Sequence, residues 1–202
     1  MALNFANNNS LSAITTLPAS ISGGGMTLIS EQTASSSATI DFTSGIDSTY
    51  DSYVFKFYNI HPSADDTKLT FNFSTDGGSN YNVTKTSTMF RSLHYENDST
   101  TQLQYVDDRD LAQSTGFQDF FGDMQGADND QANSGTLVLY KPSSTTFVKH
   151  YIGNSNSVTH YDASTNGFLA GYGNTTSAIN SVRFQMSSGN IDSGVIKLYG
   201  VS

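Results

Sequence analysis

Residues 69–87 read LTFNFSTDGGSNYNVTKTS and place a clear strand pattern directly before a glycine turn. The first five residues alternate apolar with polar, which is the period of a strand that has one buried face. Asp76, Gly77 and Gly78 follow, and glycine adopts the positive φ of a tight turn without a Cβ penalty. A calcium loop needs several oxygen ligands, whereas STDGGSN offers one carboxylate. We therefore interpret these three residues as the structural turn of a β-hairpin.

The same alternation recurs on both sides of this stretch. SYVFKFYNIH at 52–61 is apolar on nearly both faces, which is typical of a strand in the middle of a packed sheet. After a less regular region, in which FQDFFGDM at 117–124 predicts one helical turn, strand patterns continue to the end of the chain. No ten-residue apolar helix is apparent. Residues 26–202 are therefore predicted to form an all-β domain, an antiparallel two-sheet β-sandwich that is jelly-roll-like.

Residues 1–25 differ from the rest and form a separate region. Pro18 discourages a long helix, and three consecutive glycines at 23–25 provide a flexible joint. The apolar residues are too sparse for a core of their own. Two interpretations remain: a disordered tail, or an extended N-terminal arm that anchors the chain on a neighbouring subunit or a larger assembly. The candidate assembly anchors are Leu3, Phe5, Leu11, Ile14, Leu17 and Ile21.

Composition excludes several classes of partner. The net charge is −9, with only 9 Lys and Arg that form no stripe, so neither nucleic acid nor an anionic membrane surface is expected to bind. No segment has the ~20 apolar residues of a membrane span, so membrane insertion is not expected. The N-terminus lacks the features of a secretory signal, which predicts synthesis in a cytoplasm. The chain has no cysteine, which rules out disulfides and thiolate metal sites.

The acidic loops are the candidates for metal binding. Asp123, Asp128 and Asp130 could supply oxygen ligands to calcium, but their spacing does not match an EF-hand and no Glu closes the loop. A solvated loop is the favoured interpretation, and Arg109 is expected to balance the aspartates beside it. No two of the four histidines have the i, i+4 spacing of a helical zinc site. We expect no metal and no cofactor.

Catalysis and sugar binding are the remaining functional alternatives. The chain has no E-x-D-x-E strand motif, no G-x-S-x-G and no cysteine nucleophile, so it is not expected to be an enzyme. Exposed aromatic residues near loops can bind sugars, and Tyr95, Tyr105, Tyr161 and Tyr172 lie near loops. Tyrosines in a β-sandwich are more often half-buried cross-strand partners, and that interpretation is favoured.

Several stretches together resemble a known group of proteins. They include SLSAITTLPASISGGG, FTSGIDSTYDSYVFKFYNIHPS, ADNDQANSGTLVLYKPSSTTFVKHYIG and TTSAINSVRFQMSSGNIDSGVIKLYGVS. The pattern Y-D-x-Y-x-F-x-F followed by N-I-H-P, and the closing S-G-N-I-D-S-G-x-I-K-L-Y-G, are the most specific parts. Over essentially its whole length the chain resembles virion structural proteins of marine tailed phages, including cyanophages. These relatives carry no catalytic motif.

The resemblance implies a virion component that is made in the host cytoplasm, either a capsid decoration protein or a tail or fibre subunit. Its partners would be other virion proteins, and a homo-oligomer is expected, with a trimer favoured by analogy with phage fibres and decoration proteins. The alternative is a lectin-like module that recognises host glycan through its loops.

Overall fold

The computed structural model describes residues 25–202, which contain twelve strands. Their bounds are β1 Thr27–Ser37, β2 Ile40–Phe42, β3 Ser52–Pro62, β4 Leu69–Ser74, β5 Lys85–Tyr95, β6 Thr101–Tyr105, β7 Gln118–Asp119, β8 Asn133–Tyr140, β9 Lys149–Val158, β10 Ala163–Gly173, β11 Ser181–Met186 and β12 Ile191–Val201. Within this range no helix is long and apolar enough to cross a membrane. The predicted anchor residues lie outside the described residues: Leu3, Phe5, Leu11, Ile14, Leu17 and Ile21.

The strands form two sheets, and every pair of neighbouring strands is antiparallel. The larger sheet has eight strands in the order β1-β12-β3-β8-β9-β10-β5-β6. The smaller sheet has four strands in the order β2-β11-β4-β7. The prediction of an all-β chain with two antiparallel sheets is confirmed.

An aromatic core joins the inner faces of the two sheets. Phe57 of β3 meets Phe184 of β11 edge to face, with ring centroids 5.1 Å apart, and Phe71 of β4 meets Tyr151 of β9 at 5.5 Å. Such pairs stabilise a core beyond the area that they bury. The alternating apolar residues of β4, β11 and β12 contribute to this core and are buried: Leu69, Phe71, Phe73, Val182, Phe184, Met186, Ile196 and Leu198.

Residues 106–132 cover part of the inner face of the larger sheet. Phe120 packs on Phe57, with centroids 4.6 Å apart, and it fits because Gly153 has no side chain: a Cβ there would lie 2.7 Å from the Phe120 ring. The helical turn predicted for residues 117–124 is wrong. Gln118–Asp119 form β7, a short strand that pairs with Thr70 and Phe71 of β4.

The hairpin interpretation of Asp76, Gly77 and Gly78 is also wrong. The strand before the turn, β4, belongs to the smaller sheet, whereas the next strand, β5, belongs to the larger one. Residues 79–84, where the second strand of a hairpin would begin, lie outside any strand. The turn therefore carries the chain from one sheet to the other.

The conformation of this turn still needs its glycines. Gly77 and Gly78 have φ of 73° and 88°, values that L-residues with a side chain rarely adopt. The Asp76 carboxylate accepts hydrogen bonds from the Ser74 hydroxyl at 2.6 Å and from the Asn80 amide N–H at 2.9 Å. These bonds, with the Ser74 bond the strongest contributor, lower the pKa of Asp76 to about 2. The Asp76 carboxylate thus stabilises the turn by binding residues on both sides of it.

Candidate functional site

The outer face of the larger sheet, which points away from the smaller sheet, carries most of the large apolar side chains that are exposed in residues 25–202. Ten large apolar side chains are exposed in residues 25–202, and eight of them lie on strands of this sheet. Most of them stand next to a buried residue of the same strand, so alternation turns them outward, and Leu103 shares their face because it pairs with Ser92, two residues from Phe90. These eight are Leu28, Tyr58, Phe90, Leu103, Tyr105, Tyr140, Ile152 and Phe168. Soluble monomers rarely expose contiguous apolar patches of this kind, and such patches mark interaction surfaces.

Strand register aligns part of this face into one continuous row. Each member is the direct cross-strand partner of the next, from the edge strand β1 to β5. We call this set the apolar row. Its members in order are Leu28, Tyr199, Val54, Val138, Ile152, Ala170 and Thr88, of which Val54 is buried and the others are half-buried or exposed. With strands about 4.8 Å apart, six steps span roughly 29 Å.

A shallow depression interrupts the apolar row near its β5 end. It has a volume of about 410 Å³ and opens over Ala170, whose small side chain sits between Ile152 and Thr88. Tyr172 and His150 form one wall. The depression has room for more than one apolar side chain of a partner.

An aromatic trio lies beside the row at the same end. Phe90 and Phe168 face one another across β5 and β10 and stack with centroids 4.8 Å apart and an interplanar angle of 12°. Tyr105 of the edge strand β6 pairs with Phe90. Tyr105 is 52% exposed and donates its hydroxyl proton to Asp110 at 2.5 Å. The trio gives this corner of the sheet an exposed aromatic cluster.

Charged groups flank the apolar row without entering it. Lys197 of β12 forms an ion pair with Glu31 of β1 at 2.8 Å, and Lys56 lies 5.9 Å from the ring centroid of Tyr199. Cations in this position are attracted to the electron-rich ring face. The row is thus an uncharged band on a protein whose net charge is −9.

A buried ionic cluster lies on the opposite, inner side of the same sheet. The Asp123 carboxylate forms ion pairs with Arg91 and Arg109 and accepts a hydrogen bond from the Tyr161 hydroxyl. Only 3% of the Asp123 side chain and 6% of the Arg109 side chain are exposed. Burial, followed by the bond to Asp123, raises the pKa of Tyr161. The cluster ties residues 106–132 to β5.

This arrangement argues against the calcium interpretation of the acidic loop. The Asp123 oxygens are engaged by two guanidinium groups, which leaves them poor ligands for a cation. Nowhere in residues 25–202 do three His, Cys, Asp or Glu side chains form a group that could hold a metal ion. Arg109 balances aspartates as predicted, with Asp108 at 3.6 Å and Asp123 at 3.5 Å. The involvement of Arg91 was not foreseen.

Two buried lysines flank Gly173 of β10 on the inner face. Lys85 Nζ donates to Asn72 Oδ1 at 2.5 Å and to the Val83 carbonyl at 2.8 Å, while Lys149 Nζ donates to two backbone carbonyls. Burial lowers the pKa of Lys85 to about 7 and also lowers the pKa of Lys149. A lysine with a depressed pKa can act as a nucleophile. Both side chains are inaccessible, however, so a structural role fits them better.

The four tyrosines considered for sugar binding do not form one site. Tyr95 and Tyr161 stack on one another at 5.1 Å, and the Tyr161 hydroxyl is bound to Asp123. Tyr172 lines the depression, whereas Tyr105 lies on the edge strand. The tyrosines thus divide between local packing and the outer face.

Searches of protein-family models, curated proteins and solved structures find no match to this chain. The outer face of the larger sheet is accordingly the candidate site, because it combines exposure, continuity and an uncommon composition. The inner clusters are enclosed and offer no route to a ligand.

Proposed function

We propose that the protein is a non-enzymatic structural component of the virion of a marine tailed bacteriophage. It would serve as a capsid decoration protein or as a tail or fibre subunit, made in the host cytoplasm and bound to other virion proteins. The observation that carries this proposal is the apolar outer face. An uncharged row about 29 Å long suits burial against another protein, and the sequence resemblance points to a particle as the assembly.

The strand order supports a jelly-roll assignment within this proposal. Strands β1, β3, β8 and β12 lie in the larger sheet and β2, β4, β7 and β11 in the smaller, with orders β1-β12-β3-β8 and β2-β11-β4-β7. Successive strands of this set alternate between sheets, except β4 and β7. Eight strands arranged as two Greek keys are the jelly-roll pattern, which is common in viral capsid proteins and lectins. Strands β5, β6, β9 and β10 would then be additions that widen one sheet.

The proposal includes an N-terminal arm, residues 1–25, and assembly into a homo-oligomer. A trimer is favoured by analogy with phage fibres and decoration proteins. A host glycan is a second candidate ligand, and the exposure of Phe90 and Phe168 favours it, because lectin sites often use exposed aromatic side chains with asparagines nearby. Asn154 and Asn166 beside them could supply hydrogen bonds to hydroxyl groups.

Immunogold labelling of intact particles tests the virion assignment. Antibodies against the chain should decorate every particle, and label on heads or tails would separate a decoration protein from a fibre subunit. Particles that carry neither label nor peptides of this chain would refute the proposal. A glycan array probed with the full-length chain tests the second candidate. Specific binding that is lost in Phe168→Ala and kept in Tyr140→Ala would favour the lectin-like function.

A further inference from the structure

We infer that the apolar row is the docking site for residues 1–24 of a neighbouring copy of this chain. The inference deepens the proposed function and rests on it for the assembling role of the arm. Its test uses purified protein, so its failure is distinguishable from failure of the virion assignment. The grounds are the chemistry of the two surfaces, the position at which the chain joins the sheet, and the length of the arm.

The first ground is matching chemistry. Residues 1–24 contain no Asp, Glu, Lys, Arg or His, and the first charged side chain of the sequence is Glu31. The apolar row likewise has no charged member. An uncharged segment with scattered apolar side chains can cover such a row without burying an unpaired charge, which would be costly. Each apolar side chain of the arm that docks on the row leaves water, which favours the docked state.

The second ground is continuity between the segment and the row. The row begins at Leu28 on β1, an edge strand of the larger sheet, only three residues after Gly25. Met26 and Leu28 are 40% and 51% exposed, so the apolar surface reaches the point where residues 1–24 join the sheet. An arm that leaves here departs from an open edge of the larger sheet, from which it can reach the row of a neighbouring copy as well as its own.

The third ground is length, and it favours a neighbouring copy over the same chain. Crossing the 29 Å row takes about nine residues at 3.3 Å each. The 24 residues before Gly25 can reach roughly 80 Å when extended. Docked on its own sheet, an extended arm would carry Leu3 and Phe5 well past the far end of the row. A neighbouring copy uses the surplus length as the connection between subunits.

The absence of cysteine allows a direct test by disulfide trapping in the full-length chain. Ile14→Cys on the arm is combined with Ile152→Cys in the row. The matched control combines Ile14→Cys with Ser164→Cys, which is exposed on the same face but six residues along β10 from Ala170, about 20 Å away. We expect covalent dimers and higher species from the first pair and far fewer from the control.

Three outcomes of the trapping experiment would overturn the inference. Equal cross-linking in the two pairs would show that the arm does not select the row. Cross-links confined within one chain would show that the arm covers its own sheet. The single Ile152→Cys variant could also form as much dimer as the Ile14→Cys and Ile152→Cys pair. That result would show that two sheets pack face to face instead.

A mixing experiment keeps the test independent of cysteine chemistry. Ile152→Asp disables the row, and a triple variant with Leu11→Ser, Ile14→Ser and Leu17→Ser disables the arm. Each variant alone should run as a monomer in size-exclusion chromatography with light scattering, while the wild-type chain runs as an oligomer. Mixed together, they should form a complex that contains both, since one supplies the arm and the other the row. Oligomers of either variant alone, or a monomeric wild-type chain, would contradict the inference.

Discussion

Replacing Asp123 with asparagine should lower the free energy of unfolding by about 3–5 kcal/mol, because it breaks a buried ion pair from one side. The change leaves Arg91 and Arg109 without their shared carboxylate, and the Arg109 side chain is only 6% exposed. The new amide group also presents donors where the Tyr161 hydroxyl and the Met124 backbone N–H now donate. Water cannot readily solvate the stranded cations at this depth.

The matched control is Asp51→Asn. Asp51 also forms an ion pair, with Lys141, but both side chains are 65% exposed. Exposed pairs contribute about 0–1 kcal/mol, so this variant should unfold almost as the wild-type chain does. Urea denaturation followed by far-ultraviolet circular dichroism measures both changes at neutral pH. Adding Arg109→Met to Asp123→Asn should restore part of the lost stability, since it removes one uncompensated charge.

Similar small losses for Asp123→Asn and Asp51→Asn would refute this reasoning, because burial would then not distinguish the two pairs. The double variant would also count against it if adding Arg109→Met to Asp123→Asn lowered the free energy of unfolding as much as Arg109→Met does in the wild-type chain. Either result would mean that residues 106–132 are held on β5 by packing rather than by charge.

Three further predictions concern the turn, a buried lysine and the N-terminal segment. Gly78→Ala should lower the melting temperature more than Gly77→Ala, because a Cβ at Gly78 would lie 2.8 Å from the Tyr81 hydroxyl whereas the Gly77 position is open; equal losses would contradict this. Between pH about 7 and about 10.5, Lys85 is protonated in the unfolded chain and neutral in the folded chain. The free energy of unfolding of the wild-type chain, minus that of Lys85→Met, should therefore rise with pH by up to about 1.4 kcal/mol per pH unit. If urea titrations gave a difference between the two proteins that does not change with pH, burial would not be lowering the pKa of Lys85. Deleting residues 1–22 should leave the circular dichroism spectrum and cooperative melting little changed but abolish incorporation into particles; normal copy number in particles would refute the anchoring role.

The sequence alone predicts the two-sheet core well, because strand burial depends on a local pattern. Phe71, Phe73 and Phe184 sit in runs whose alternation marks one buried face, and no distant partner is needed to see it. β7 is different. Its two residues form a strand only because β4 offers an edge to them, so their own pattern could not reveal it.

The hairpin error has a related cause. Asp76, Gly77 and Gly78 have the chemistry of a chain reversal, but that chemistry is the same whether the next strand pairs with the last or joins another sheet. Sheet membership is decided by packing over long sequence distances. Turn residues therefore identify where the chain reverses and leave the pairing open.

The apolar row was also beyond sequence reasoning. Each of its members comes from a different strand, and only the register between strands brings Ile152 beside Val138 and Ala170. A single exposed isoleucine carries no information by itself. The cluster around Asp123 was missed for the same reason, since Arg91 lies 32 positions earlier in the chain.

The most direct test of the account is the reactivity of the row inside assembled particles. Particles carrying Ile152→Cys or Ser164→Cys are treated with a maleimide, and each rate is compared with that of the same variant after unfolding in urea. We predict that the cysteine at position 152 is strongly protected in particles while that at position 164 reacts readily. Equal reactivity at the two positions, or particles that lack the chain altogether, would contradict the claim that this protein is built into a virion through its outer face.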